Sequence, residues 1–148
     1  MAVSAVIDTN IWVSSLINPS GFPARLRKSF EEGVFNVIIS APMLEELAEV
    51  LARPRIQSKY EITGDDIKGL LELLEQRAED VLVSGDIAIC RDKDDNLVIE
   101  TAAKGQAKYL VTRDDDIKFD NKVSLFLSQH GVTVVSLPKF LALLKKDM

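Results

Sequence analysis

The sequence has few of the side chains that cross-link secreted proteins or carry nucleophilic catalysis. Its single cysteine, Cys90, cannot form an internal disulfide and is expected to be a buried thiol. Its single histidine, His130, stands where a helix is predicted to end, which favours a cap or surface role. A serine or cysteine nucleophile would therefore lack a histidine base. The seven glycines are scattered, so no glycine-rich loop is available to hold a phosphate.

Long apolar runs and an excess of positive charge are also absent. Asp8 interrupts the first apolar stretch, and nothing reads as a signal peptide or a membrane span, so a cytoplasmic protein is expected. The 18 basic and 23 acidic side chains give a net charge of −5. Proteins that coat nucleic acid are usually basic, so any such role here requires a local site. A chain of 148 residues with 47% hydrophobic side chains predicts one globular domain spanning 1–148.

Short β-rich runs alternate with amphipathic stretches along the chain. Buried strands are predicted at 3–7, 37–39, 81–83, 109–111 and 132–135. Helices are predicted at 22–32, 41–52, 63–76, 97–104, 123–129 and 138–145. This alternation predicts a three-layer α/β fold in which helices flank a central, mainly parallel sheet of about five strands. Ligands bind such sheets beyond the carboxyl ends of the strands.

Four acidic residues stand where that edge of the sheet would gather them: Asp8, Glu46, Asp95 and Asp114. Asp8 and Asp114 each follow a predicted strand. Asp95 precedes the helix predicted near Leu97, and Glu46 lies on the helix after the second strand. Asp8 is the hardest to explain structurally, because a charge at the end of a buried strand is unfavourable unless it is used.

The other acids have structural explanations as well. Asp95 could cap a helix, Asp114 and Asp116 could form a turn, and Glu46 could be a solvated helix residue. Converging carboxylates would repel one another, and a divalent cation would remove that repulsion. Oxygen ligands without histidine or cysteine suit magnesium or manganese, and one or two such ions can activate water for phosphoryl transfer.

The helix predicted at 41–52 separates its three glutamates. At about 100° per residue, its apolar side chains form one arc, and Glu46 falls at the margin of that arc. Glu45 and Glu49 fall on the opposite, solvated side. Only Glu46 is therefore expected to reach over the sheet edge toward Asp8.

Four motifs in order resemble the PIN-domain ribonucleases, and the resemblance covers nearly the whole chain. They are Val6-Ile7-Asp8-Thr9-Asn10, then Leu44-Glu45-Glu46-Leu47 before Leu51-Ala52-Arg53-Pro54, then Arg91-Asp92-Lys93-Asp94-Asp95 before Ala102, and Leu110-Val111-Thr112-Arg113-Asp114. Their order and spacing are most similar to the branch that contains the toxins of bacterial and archaeal toxin–antitoxin pairs.

The resemblance implies a magnesium- or manganese-dependent endoribonuclease that cleaves single-stranded RNA. It implies that Asp8, Glu46, Asp95 and Asp114 form the catalytic quartet, and that Asp8, Asp95, Asp114 and Asp116 hold metal. It further implies supporting roles for Asn10 and Thr112, and hydrogen bonds from Thr9 and Asn10 could fix the carboxylate of Asp8. Candidate RNA contacts are Arg91, Arg113 and Lys118, for which ordinary surface charge is an equal alternative. The expected partners are a second copy of the chain and an antitoxin whose tail blocks the site.

One position departs from the resemblance. Lys93 stands where this branch usually has proline, which leaves Asp94 as an alternative ligand to Asp95. Asp95 is preferred because it lies directly against the predicted helix start and Ala102 follows at the family's interval.

Three other functions share parts of this pattern. A haloacid-dehalogenase phosphatase needs an acid two residues after its first aspartate, and that position is Asn10. A structure-specific DNA nuclease uses a related acidic site, but usually carries additional DNA-gripping segments. A non-catalytic module that binds RNA or protein would be expected to have an incomplete quartet.

Overall fold

A five-stranded sheet forms the centre of the computed structural model, which describes residues 3–90, 92–113 and 120–146. The strands are β1 (Val3–Ile7), β2 (Phe35–Ile39), β3 (Glu79–Asp80), β4 (Tyr109–Val111) and β5 (Thr133–Val135). Their order is β3-β2-β1-β4-β5, and every pairing is parallel. This confirms the predicted α/β fold with a central parallel sheet. The carboxyl ends of all five strands therefore meet at one edge.

Eight helices are found within the described ranges. They are α1 (Thr9–Ile17), α2 (Phe22–Glu31), α3 (Ala41–Leu51), α4 (Pro54–Tyr60), α5 (Gly64–Arg77), α6 (Lys93–Lys104), α7 (Asn121–Gln129) and α8 (Leu137–Lys146). A proline lies in the first turn of α2, α3 and α4, where its missing N–H is harmless and its fixed φ favours the helix. Among these helices none is long and apolar enough to cross a membrane.

The core contains a series of aromatic rings that joins the helices to the sheet. The ring centroids of Trp12 and Phe30 are 6.0 Å apart, and those of Phe30 and Phe35 are 5.9 Å apart. Phe140 packs edge-on against Phe35 at 5.1 Å and lies near Tyr109. Because Phe35 and Tyr109 belong to strands on opposite sides of β1, these contacts tie α1, α2 and α8 to the sheet.

Two helices were missed by the sequence patterns. Thr9–Ile17 carries apolar side chains nearly all round, and Ile11, Trp12 and Val13 are all buried. Such a segment has no amphipathic period to reveal it. The second missed helix, α4, begins at Pro54 as its first helical residue, and a proline more often indicates the end of a helix than its start.

Two further predictions were wrong in position, and one was wrong about burial. The strand predicted at 81–83 is the short pair Glu79–Asp80, which is exposed at the edge of the sheet, so an apolar run does not mark it. The helix predicted at 97–104 begins at Lys93, because the side chain of Asp92 caps it by accepting from the N–H of Asp94. Cys90 is half-buried rather than buried.

Candidate active site

Asp8 lies at the carboxyl end of β1 and is held in place by β4. Its backbone N–H donates to the carbonyl of Val111 at 3.0 Å. The hydroxyl of Thr112, which is fully buried directly after β4, donates to Asp8 Oδ2 at 2.9 Å. Asp8 is the N-cap residue of α1, but its carboxylate makes no capping hydrogen bond to that helix. Its side chain, only 8% exposed, is therefore directed to the sheet edge instead of serving the helix.

Glu46 lies on α3 and approaches Asp8 through Thr9. The Thr9 hydroxyl is 3.4 Å from Glu46 Oε1 and 3.5 Å from Asp8 Oδ1. One hydroxyl proton can be donated to only one of the two carboxylates at a time. Glu46 is half-buried, whereas Glu45 and Glu49 are exposed, which agrees with the predicted helix register.

The start of α6 brings three more carboxylates to the same place. Asp92 caps the helix, and Asp94 and Asp95 lie in its first turn, where negative charge is favourable. The suggestion that Asp95 could be the helix cap is therefore wrong, because Asp92 has that position. Asp94 is exposed and Asp95 is half-buried.

These side chains surround one cavity of about 140 Å³, called the acidic cavity below. The described residues that line it are Asp8, Thr9, Asn10, Glu46, Asp92, Asp94, Asp95 and Val98. Five of them are acidic and none is basic. The structure thus brings together three members of the predicted quartet, and both Asp94 and Asp95 reach the cavity.

The local accumulation of negative charge acts on Glu46. Burial raises the pKa of its carboxyl, and the charges of Asp94 and Asp8 raise that pKa further. The hydrogen bond from Thr9 opposes this effect, and Asp92 adds a smaller repulsion. Carboxylates in this arrangement resist ionising together unless a cation joins them.

The donor set fits a hard divalent cation such as magnesium. It consists of carboxylate oxygens without histidine or cysteine, and magnesium retains several waters, so a few carboxylates suffice. Within residues 3–90, 92–113 and 120–146, no three acidic, histidine or cysteine side chains lie close enough together to hold one ion directly.

Four predicted residues lie outside the described residues: Arg91, Asp114, Asp116 and Lys118. Thr112 and Arg113, which follow β4 directly, are the last described residues before Asp114. Arg113 is exposed, and its Nη1 lies 3.3 Å from the Ser14 hydroxyl on α1. Asn10, also exposed, lines the acidic cavity as the predicted neighbour of Asp8.

Two buried polar side chains on α6 support the cavity and were not singled out from the sequence. Asn96 accepts from the N–H groups of Ile89 and Cys90 at 3.0 and 2.7 Å and donates to the carbonyl of Cys90. The buried carboxylate of Glu100 accepts from the N–H groups of Ser84 and Gly85. Together they hold the segment that leads into Asp92.

The surroundings of Glu100 act on the pKa of its carboxyl in opposite directions. Burial raises the pKa of its carboxyl, but the hydrogen bonds from Lys104, Ser84 and Gly85 outweigh burial and lower the pKa overall. The only sequence signal for this role was a glutamate four residues before a lysine on a helix, which is common on solvated surfaces. Asp92 was not predicted as a cavity residue, because α6 begins earlier than the sequence pattern indicates.

The single histidine is not part of the acidic cavity. His130 ends α7 as its C-cap residue, as predicted, and its Nδ1 lies 2.9 Å from the carbonyl of Phe126. Among the described residues, the chemistry of the cavity is therefore carried by carboxylates, hydroxyls and one amide.

Comparisons with known proteins agree with this geometry. The family model for the PIN domain matches residues 4–116. An uncharacterized protein of Methanocaldococcus jannaschii, MJ1680, is 32% identical over 116 residues, which make up 78% of this chain and 73% of that protein. PIN domains are generally nucleases and typically use divalent metal ions. With its parallel sheet and a match that extends over most of its length, the chain belongs to the PIN domain family.

Proposed function

We propose that this chain is a magnesium- or manganese-dependent endoribonuclease that cleaves single-stranded RNA. The observation that carries the proposal is the acidic cavity, in which Asp8, Glu46 and the acids at the start of α6 lie together. Carboxylates that converge in this way can hold a divalent cation, and the nuclease chemistry that is general in the family uses such a cation.

The protein groups have distinct roles in this proposal. A bound divalent ion would activate water and stabilise the charge that develops at phosphorus and on the leaving oxygen. Asp8 and Asp95 would hold the ion directly or through water, together with Asp114 and Asp116. Glu46, whose pKa is raised by burial and by its acidic neighbours, is suited to accept a proton from the attacking water.

The supporting residues keep the carboxylates in position. Thr112 fixes one oxygen of Asp8, and Thr9 lies between Asp8 and Glu46. Hydrogen bonds of this type orient metal ligands and are often needed for full affinity. Arg113, with Arg91 and Lys118, would contact the phosphate backbone beside the cleavage point.

Cleavage of labelled single-stranded RNA, beside DNA of the same sequence, tests the proposal. RNA cleavage is expected with magnesium or manganese and should be abolished by EDTA. Undiminished cleavage in excess EDTA would contradict the metal mechanism. Preferential cleavage of branched or flapped DNA would favour a DNA nuclease, and RNA binding without cleavage would favour a non-catalytic module.

The toxin role and its partners are the finer part of the proposal and rest on the motif resemblance. Expression of the chain alone should slow bacterial growth, and Asp8→Asn at an equal protein level should relieve the effect. Equal growth of both strains would count against a toxin. Light scattering on the purified chain tests the proposed homodimer, and co-purification with the product of an adjacent gene tests the antitoxin.

A further inference from the structure

A second concave surface adjoins the acidic cavity, between α2 and α8. It consists of one cavity of about 530 Å³ and one of about 310 Å³. Both are lined by Phe22 and Pro138, so they form a single surface, called the basic groove below. The first cavity reaches Thr112 and Arg113, and the second extends along α8 to Lys145.

The charge of the basic groove is opposite to that of the chain as a whole. Its described lining residues include Arg25, Arg113 and Lys145 and no acidic residue, although the chain carries a net charge of −5. All three basic side chains belong to exposed residues. A local positive surface on an acidic protein is complementary to a polyanion.

Phe22 gives this surface an aromatic platform. Its side chain, the first residue of α2, is 47% exposed at the point that both cavities share. The guanidinium carbon of Arg25 lies 5.4 Å from the centre of the ring. An exposed aromatic ring beside a guanidinium group is the combination on which unpaired nucleobases stack, since every base has a π-face.

The groove lies next to the acidic cavity at the end of β4. Thr112 lines the groove and also donates its hydroxyl proton to Asp8 Oδ2 at 2.9 Å. A strand whose phosphate is at the acidic cavity would therefore pass Arg113 and reach Phe22, which line the same part of the groove. Because the groove opens next to the carboxylates, it suits the substrate strand better than an unrelated protein partner.

We propose that the basic groove binds the unpaired RNA strand next to the scissile phosphate, with one nucleobase stacked on Phe22 and the backbone paired with Arg25, Arg113 and Lys145. This subsite rests on the proposed ribonuclease function and adds to it the nucleotide that flanks the cleavage point. It makes the protein prefer strands whose bases are free to unstack.

Abasic substitution along the RNA identifies the stacked nucleotide. Fluorescence anisotropy measures the Kd of a labelled single-stranded RNA in magnesium, with Asp8→Asn present in every variant so that the RNA stays intact. One abasic position should weaken binding about tenfold when Phe22 is present. In Phe22→Ala, binding of the intact RNA should weaken to a similar extent, and the same abasic position should then have no further effect.

Two variants make the result specific. Phe22→Trp keeps a stacking surface and should retain both the affinity and the abasic effect. Leu125→Ala removes a side chain that is 61% exposed on α7 and lines neither cavity, so it should change nothing. Thermal melting establishes that each variant is folded, which is expected because both side chains lie at the surface.

The outcomes separate the groove from the nuclease. RNA cleavage by wild type with unchanged binding in Phe22→Ala would overturn the groove and leave the ribonuclease intact. If the abasic effect on binding disappears in Phe22→Ala but the wild type cleaves no RNA, the result would support the groove and contradict the ribonuclease. Abasic and Phe22→Ala effects that simply multiply, or a complete lack of RNA binding, would overturn the stacking subsite.

Discussion

The acidic cavity and the basic groove adjoin each other at the end of β4, but they are built from different kinds of side chain. The cavity uses short carboxylates at a strand end and in the first turn of a helix, and Asp8 is only 8% exposed. The groove uses long, exposed side chains such as Arg25 and Lys145. Fixed groups suit chemistry that needs exact positions, whereas flexible ones suit the binding of a variable strand.

The two regions also have opposite electrostatic effects on an RNA strand. Before a cation is bound, the carboxylates that raise the pKa of Glu46 would also repel a phosphate. The groove can still attract the strand, because charges in water are screened over about 8 Å at physiological salt. Loss of the metal should therefore abolish cleavage while weakening RNA binding much less.

The largest effect is expected for Asp8→Asn, which should abolish cleavage and leave RNA binding largely intact. Asparagine keeps the shape of the side chain and can still accept the hydrogen bond from Thr112, but it removes a charge from the cavity. The metal-free variant should therefore melt no lower than wild type. Assays of RNA cleavage, anisotropy and thermal melting check the three parts.

Asp65→Asn provides the control, because Asp65 is an exposed acid on α5 that lines neither region. It should cleave RNA as wild type does. Turnover at the wild-type rate in Asp8→Asn would mean that the acidic cavity is not the catalytic site.

A smaller effect is expected for Glu46→Gln, which should lower turnover at least tenfold, or about 1.4 kcal/mol in the barrier. The reason is that Glu46 is half-buried and lies within reach of the Thr9 hydroxyl that also faces Asp8. Glu45→Gln and Glu49→Gln are matched changes on the exposed side of α3 and should stay close to wild type in turnover and stability. If Glu45→Gln lowered turnover and Glu46→Gln did not, a different face of α3 would point to the catalytic site.

The acidic cavity was more predictable from sequence than the basic groove, for a physical reason. Asp8 follows a continuous apolar strand, and Glu46 has a fixed angle relative to the apolar arc of its helix, so local patterns place both. The parallel sheet then gathers strand ends at one edge. Asp92 could not be assigned in the same way, because its position depends on where α6 begins, which the prediction placed too late.

The basic groove has no such local signal. Phe22 and Arg25 come from α2, and Pro138 and Lys145 from α8, so the groove exists only once the two helices pack together. Exposed basic residues are common at protein surfaces and have no period that marks a shared face. The helices α1 and α4 were also missed because their local patterns are unusual. Apolar side chains lie on nearly all sides of α1, so it has no amphipathic period, and α4 begins with a proline.

Removal of charge from the groove should change the salt dependence of binding more than the rate of cleavage. In Arg25→Gln/Lys145→Gln, the plot of log affinity against log salt should be less steep by about 1.4, because two phosphate contacts are lost on a single strand. Anisotropy at several salt concentrations measures the slope. Arg55→Gln/Lys68→Gln removes equal charge from exposed residues outside both regions and should preserve the slope. If both double variants had the same slope of log affinity against log salt, the basic groove would not contact the RNA backbone.

The smallest effect on cleavage is expected for Glu100→Gln, which tests the support behind the acidic cavity. The groove shows no comparable buried clamp among its described lining residues, whereas Glu100 and Asn96 hold the segment that leads to Asp92. Glutamine has one accepting oxygen, so it can keep only one of the two hydrogen bonds from Ser84 and Gly85, which different oxygens of Glu100 accept. Turnover of the folded variant should stay close to wild type, because Glu100 does not line the acidic cavity. The lost charge and the lost hydrogen bond should together lower the unfolding free energy by about 1–3 kcal/mol at neutral pH.

That stability difference should depend on pH with a defined sign. Burial alone would raise the pKa of Glu100 in the folded protein. Lys104, Ser84 and Gly85 donate hydrogen bonds to its carboxylate, however, and the pKa is lowered overall. Asp86 is the other charged group beside Lys104. The ionised carboxylate thus stabilises the fold fully above the ordinary glutamate pKa of about 4.3. Its contribution is lost as pH falls through the lowered folded value, so the gap between wild type and Glu100→Gln should narrow in acid. Urea unfolding across that range measures the gap, with Glu75→Gln on the exposed surface of α5 as the matched change. A gap that stays constant into acid would show that the stabilisation comes from packing and neutral hydrogen bonds, not from the ionised carboxylate.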